Sequence, residues 1–154
     1  MSALLAYPLA ICAQSHPDFS GIWELEGKGH NPVTVQIEQT PAVITIGTRT
    51  GKGAEASMET LTYKLEGEEA SVSDAGITTK AHWDGPKLIA ETARSVHGAA
   101  VTTVHTISLN STGQELTIEK TLIVQHGYRS LKPRNTGTGK EVYIRVKSPI
   151  RKQP

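Results

Sequence analysis

The sequence predicts an all-β domain: an antiparallel up-and-down meander of about eight to ten strands closed into a barrel. Three observations predict it. Forty of the 154 residues are β-branched (18 Thr, 12 Ile, 10 Val), and branching at Cβ restricts χ1 in a helix but packs well on a pleated sheet. From Phe19 to Lys147 the apolar residues recur with period two, with no sustained i, i+3, i+4 stripe. Short apolar runs alternate with Gly, Pro, Asn and Asp clusters, the residues that turn a chain. A meander of that length closes on itself because closure removes edges that would otherwise pair with other chains.

Each element follows from its own residues. Strand 19–26 opens within Asp18-Phe19-Ser20-Gly21-Ile22-Trp23-Glu24-Leu25 and ends at Gly27 and Gly29. Strands 32–39 and 42–49 flank Thr40-Pro41, where proline has no N–H to give a ladder. Strand 59–65 lies between Gly53 and Gly67, and strands 76–83 and 87–94 flank Asp84-Gly85-Pro86. Strand 100–109 follows Gly98, the run Asn110-Ser111-Thr112-Gly113 turns it into strand 115–125, and strand 141–147 closes the set. The Gly-, Lys- and Thr-rich stretch from Lys132 to Lys140 reads as a loop, and residues 148–154 as a disordered tail. The domain therefore spans 18–147.

Cross-strand pairing tests this scheme. With Asn110 to Gly113 as a four-residue loop, Ile107 opposes Leu116, His105 opposes Ile118, Thr103 opposes Lys120 and Val101 opposes Leu122. Around Asp84-Gly85, Trp83 opposes Pro86, Ala81 opposes Leu88 and Thr79 opposes Ala90. Apolar faces meet in both hairpins. The predicted interior is then Trp83, Leu88, Ile107, Leu109, Leu116, Ile118 and Leu122, joined by Trp23, Leu25, Val33, Val35, Ile37, Ile44, Ile46, Leu61, Tyr63 and Leu65. Many of their inward Thr and Ala neighbours are small, so an incompletely filled interior is expected.

Composition removes several function classes. Sixteen Lys+Arg against fifteen Asp+Glu leave a net charge of +1, with no basic stripe to track phosphates, so nucleic acid is not an expected partner. Cys12 is the single cysteine, which excludes an intramolecular disulfide and any CxxC motif. The six histidines are scattered without metal-ligand spacing, and no serine sits in a nucleophile context. No metal, cofactor or catalytic residue is therefore expected.

The N-terminus points to export. Leu4 to Ala13 is an apolar stretch shorter than the ~20 residues of a membrane span but close to the ~7–15 of a signal-peptide core. Polar Gln14-Ser15-His16-Pro17-Asp18 follows at once. Residues 1–13 read as a cleaved export signal, which places the mature protein outside the cell or in the periplasm. Two alternatives stay open: a lipoprotein signal with Leu9-Ala10-Ile11-Cys12 as lipobox and a lipidated Cys12, or an uncleaved N-terminal segment buried as strand or helix.

The Gly21-Ile22-Trp23 run at the start of the first strand resembles the G-x-W opening of lipocalins and the wider calycin superfamily. Together with Ile107 to Thr121, it is most similar to the small, largely uncharacterised secreted lipocalin-like β-barrels of bacteria. The resemblance covers roughly 18–147. It implies that Trp23 sits at the closed end of the barrel, with Arg145 from the last strand packed over it. Alternation within Val142-Tyr143-Ile144-Arg145-Val146-Lys147, in contrast, reads Val142, Ile144 and Val146 as inward and Arg145 as outward. No helical pattern follows the last strand, so the resemblance implies a trimmed barrel without a lid.

Arg94, His105 and Lys120 fall on predicted inward faces, together with the Tyr63 hydroxyl. An unpaired charge in a dry core costs several kcal/mol, so each needs water, a partner or a ligand. With Trp83 and Thr103 they form the candidate lumen site, a hydrogen-bonding or cationic patch for an otherwise apolar molecule. The alternative is that Arg94 and Lys120 snorkel out at the rims while His105 is neutral and bonded to a hydroxyl. The leading expectation is an exported, monomeric or weakly associating barrel that binds a small apolar or amphipathic ligand without chemistry. The runner-up is an interaction or inhibitor-like barrel acting through its loops, with Gly127 to Lys140 as the contact. An enzyme would require His105, Lys120, Arg94 or Tyr63 to converge in one cavity.

Overall fold

The computed structural model describes residues 15–27, 29–67, 69–125 and 134–147. The export segment 1–13 with Cys12, and the tail 148–154, lie outside the described residues. Ten strands run in chain order: β1 (Gly21–Leu25), β2 (Val33–Gln39), β3 (Val43–Thr50), β4 (Ser57–Lys64), β5 (Ser71–Val72), β6 (Thr78–Asp84), β7 (Lys87–Val96), β8 (Ala99–Leu109), β9 (Glu115–Gln125) and β10 (Arg134–Arg145). Among the described residues there is no α-helix, and the only helical turn is a 3-10 turn at Gly53–Glu55.

The strands form one antiparallel sheet in the order β4-β3-β2-β1-β10-β9-β8-β7-β6-β5. All neighbours are consecutive in the chain except β1 and β10, which pair Trp23 with Arg145 and Leu25 with Tyr143. The meander therefore closes through its first and last strands, and its two edges, β4 and β5, border a single seam. Across that seam no strand ladder forms among the described residues. Side chains bridge it instead, Thr79 Oγ1 donating to the Thr62 carbonyl at 2.8 Å. The result is a nearly closed barrel.

Period-two burial sets the inward faces. Trp23, Val35, Ile37, Ile44, Ile46, Tyr63, Leu88, Ile107, Leu116, Ile118 and Tyr143 point into the barrel and are buried with Phe19. Full burial of a large apolar side chain is worth roughly 1.5–3 kcal/mol. Leu25, Val33, Leu61, Leu65, Trp83 and Leu109 pack partly buried against this cluster.

The core is concentrated at one end, where the β2–β3, β6–β7 and β8–β9 turns lie beside the start of β1. Trp23 Nε1 donates to the Phe19 carbonyl at 3.0 Å. The Arg145 guanidinium stacks 4.1 Å from the centroid of the Trp23 ring, and donates to Ser20 O at 2.8 Å and Gly113 O at 3.0 Å. Gly21 makes this possible. Its φ is +141°, and a Cβ there would stand 2.6 Å from Arg145 Nη1, so the glycine of G-x-W is required both by its backbone and by the guanidinium beside it.

Both predicted hairpin registers are corrected by two residues. Ile107 opposes Ile118 and His105 opposes Lys120, while Trp83 opposes Leu88 and Ala81 opposes Ala90. Asn110 stays in the ladder, its N–H donating to Glu115 O at 3.0 Å and its Oδ1 accepting from Gln114 N and Glu115 N. The first loop is thus 111–114. The second is the two-residue Gly85-Pro86 turn, with φ +57° at Gly85, the position where such hairpins favour glycine. A slip of two keeps every side chain on its face, which is why the predicted interior survives the error.

The last strand is corrected twice. It begins at Arg134, so most of the supposed Lys132–Lys140 loop is strand, with Thr136 to Lys140 paired to Ile123 to Glu119. This arm is exposed, and a segment with neither face buried shows no apolar alternation to read. The phase is also opposite to the expected one: Tyr143 is buried and Arg145 lies over Trp23, whereas Ile144 faces out at 42% exposure. Cross-strand pairing of Tyr143 with Leu116 and of Arg145 with Trp23 sets this phase. Leu122 is likewise 42% exposed although on the inward face.

Candidate functional site

The barrel has two unlike halves. Towards the β8–β9 turn the inward residues are buried. Towards the β7–β8 turn the inward residues Leu61, Arg94, Val101, Thr103, Lys120, Leu122 and Glu141 keep part of their surface accessible. At this level, the upper lumen, inward side chains still meet solvent, the aliphatic ones coming from alternate positions of β4, β8 and β9.

A polar layer separates the two halves. Tyr63 is fully buried and shares a 2.9 Å hydrogen bond with Thr92, also buried. Burial pushes the Tyr63 phenol up, opposed by the bond to Thr92. Lys120 Nζ lies 2.7 Å from Glu141 Oε2, and the same carboxylate oxygen accepts from the Tyr143 hydroxyl. Burial disfavours the Glu141 charge, but the Lys120 and Tyr143 hydrogen bonds outweigh it and hold the carboxyl below its ordinary value. Burial, and then the carboxylate beside it, push the Tyr143 phenol up. His105, opposite Lys120, is held below its ordinary pKa by burial first and by the Lys120 charge second, so its ring is neutral near pH 7. Nearer the mouth, Arg94 Nη2 meets Glu59 Oε1 at 2.8 Å, reaching from β7 to β4.

Four of the expected lumen residues, Arg94, Thr103, His105 and Lys120, thus lie on the inward face at or above the polar layer, and Tyr63 is buried within it. Trp83 belongs elsewhere. It packs at the closed end, stacked by His16 at 4.2 Å and by Phe19 at 5.8 Å between ring centroids. There the strap before β1 is held by Gln39, whose Nε2 donates to Pro17 O at 2.9 Å and whose Oε1 accepts from Phe19 N at 3.0 Å. A surface cavity of about 400 Å³ opens beside it, lined by Ser15, His16, Asp18, Pro41, Leu65 and Trp83.

Sequence reasoning missed Glu59, Thr92, Glu141 and Tyr143. One signal was available: placing Arg145 over Trp23 phases β10 so that Tyr143 and Glu141 must also point inward. Among the described residues no group of three or more His, Cys, Asp or Glu side chains is arranged to hold a metal ion. Lys120, Arg94 and Tyr63 are paired with Glu141, Glu59 and Thr92 respectively.

No protein-family model matches the chain, and no curated protein matches it. Solved structures do. A secretory abundant heat soluble protein from Ramazzottius varieornatus aligns at TM-score 0.52 with 17% identity, covering 86% of this chain and 98% of its own. The wild-type fluorescent protein UnaG aligns at TM-score 0.51 with 14% identity, covering 83% and 97%. At such identities the likeness shows the fold alone, a lipocalin-like β-barrel.

Proposed function

We propose that the protein is a carrier or receptor barrel that binds one small apolar or amphipathic molecule in its upper lumen, without chemistry. The observation that carries this reading is the contrast within the inward face. Aliphatic side chains that a packed core would bury, Leu122 above all, are left accessible above a polar layer recessed in the barrel. Wall and layer together match an elongated apolar body with one hydrogen-bonding end. We also propose export, from the apolar Leu4 to Ala13 stretch and the polar run after it. Residues 127–133 of the contact assigned to the loop-mediated alternative lie outside the described residues, and 134–140 form strand.

Titration with a neutral, environment-sensitive dye such as Nile red, followed by native mass spectrometry with long-chain lipids, tests the reading. Saturable emission enhancement and a one-to-one mass adduct are expected. Leu122→Trp, which narrows the lumen without touching the closed end, should abolish both. An unresponsive dye and no adduct would overturn the proposal.

A further inference from the structure

The upper lumen carries charge of both signs in matched pairs, and this limits what head group it accepts. Among the described residues the cations on the inward faces above the closed end are Lys120 and Arg94, and each already holds a carboxylate: Glu141 at 2.7 Å and Glu59 at 2.8 Å. These pairs are about one-third to one-half exposed at the side chain. A ligand in the upper lumen therefore reaches them, yet no cation waits unpaired. An entering carboxylate would have to displace Glu141 from Lys120 and leave that glutamate facing a second anion, with the Tyr143 hydroxyl as its remaining described donor. The entering carboxylate gains little from a cation that is already paired, and it stands beside a like charge that disfavours it.

A neutral group meets no such conflict. Lys120 has three N–H donors, one of them directed at Glu141, and Glu141 Oε1 has no partner among the described hydrogen bonds. A hydroxyl can accept from the ammonium and donate to that oxygen without disturbing the pair. We infer that, within the ligand-binding reading above, the lumen selects amphipathic molecules with an uncharged hydrogen-bonding head, such as a long-chain alcohol or amide, over the corresponding free acid.

The test compares hexadecan-1-ol with hexadecanoic acid by displacement of Nile red from the full chain at pH 8, where the acid in solution is ionised. The wild-type protein should prefer the alcohol by about tenfold or more. Glu141→Gln leaves Lys120 without its counter-charge and should raise affinity for the acid by about tenfold while changing that for the alcohol less than about threefold. Equal or tighter binding of the acid by the wild type, or an unchanged ratio in a folded Glu141→Gln variant, overturns the head-group inference and leaves the ligand-binding reading standing. Failure to bind the dye and both lipids overturns that reading, and the inference with it. If Glu141→Gln does not fold, the wild-type ratio still decides.

Discussion

The closed end and the open lumen are built from the same strands, yet they use their polar residues in opposite ways. At the closed end Arg145 has one role, fixed by two carbonyls and an indole face, and Gly21 is shaped around it. In the upper lumen the charged residues are paired with one another and stay in contact with solvent. One arrangement spends charge on holding three chain segments together; the other leaves it available to a visitor. Stability should therefore reside at the closed end and selectivity in the lumen.

The sharpest way to break this division is Trp23→Ala. Removing a fully buried indole should cost about 3–5 kcal/mol in chemical denaturation, and Trp23→Phe, which keeps most of the packing, should cost less. A loss below about 1 kcal/mol for the alanine variant would place the stabilising centre elsewhere. Arg145→Met comes next. It removes two charged hydrogen bonds and a cation–π contact and should cost about 2–3 kcal/mol. Gly21→Ala should behave similarly, through strain rather than lost contacts. Tyr63→Phe leaves the Thr92 hydroxyl buried without its partner, for a loss of about 1–2 kcal/mol.

In the lumen the effects should be smaller and set by pH. His105 has a folded pKa below 6.5, so the unfolded chain binds its proton first, and stability falls as pH drops from 6.5 towards the lowered value. His105→Asn should remove that slope from a series of denaturation curves. Glu141, depressed below 4.5, adds stability that is complete above that pH and is lost as pH falls through its folded value. Smallest of all, the double substitution of Glu59 and Arg94 by alanine should change stability by no more than about 1 kcal/mol, because the pair is screened by solvent. A larger effect would mean that this bridge, rather than the Thr79 contact, holds the seam.

The two halves were also unequally legible in the sequence. Alternation and turn residues located nine of the ten strands, because burial on one face leaves a period-two record; the two-residue β5 is too short to leave one. Faces survived where registers did not, since counting a turn from Asn110 instead of Ser111 shifts the pairing by two. The Thr136 to Lys140 arm left no record because it buries nothing. At the end of β10 the apolar residues Val142 and Ile144 are the outer face, while the inner one is written in Glu141, Tyr143 and Arg145. Amphipathic residues look like surface until their partners are known. The ion pairs were illegible for the same reason: Lys120 was visible, and the carboxylate answering it sits 21 positions later in a strand read out of phase.

The single seam between β4 and β5 has a topological consequence. The sheet consists of two local meanders, β1 to β4 and β5 to β10, and the β1–β10 ladder that joins them contains the pairings most distant along the chain. Contacts of that separation form late, because the loop entropy of closing more than a hundred residues comes before their reward. Linking the end of β10 directly to the segment before β1 and reopening the backbone between Leu65 and Ser71 would turn this junction into a hairpin, with the new termini at an interruption the sheet already has. Such a circular permutant would keep every strand ladder while making the longest-range one local, so the native break in the sheet marks where the chain could begin.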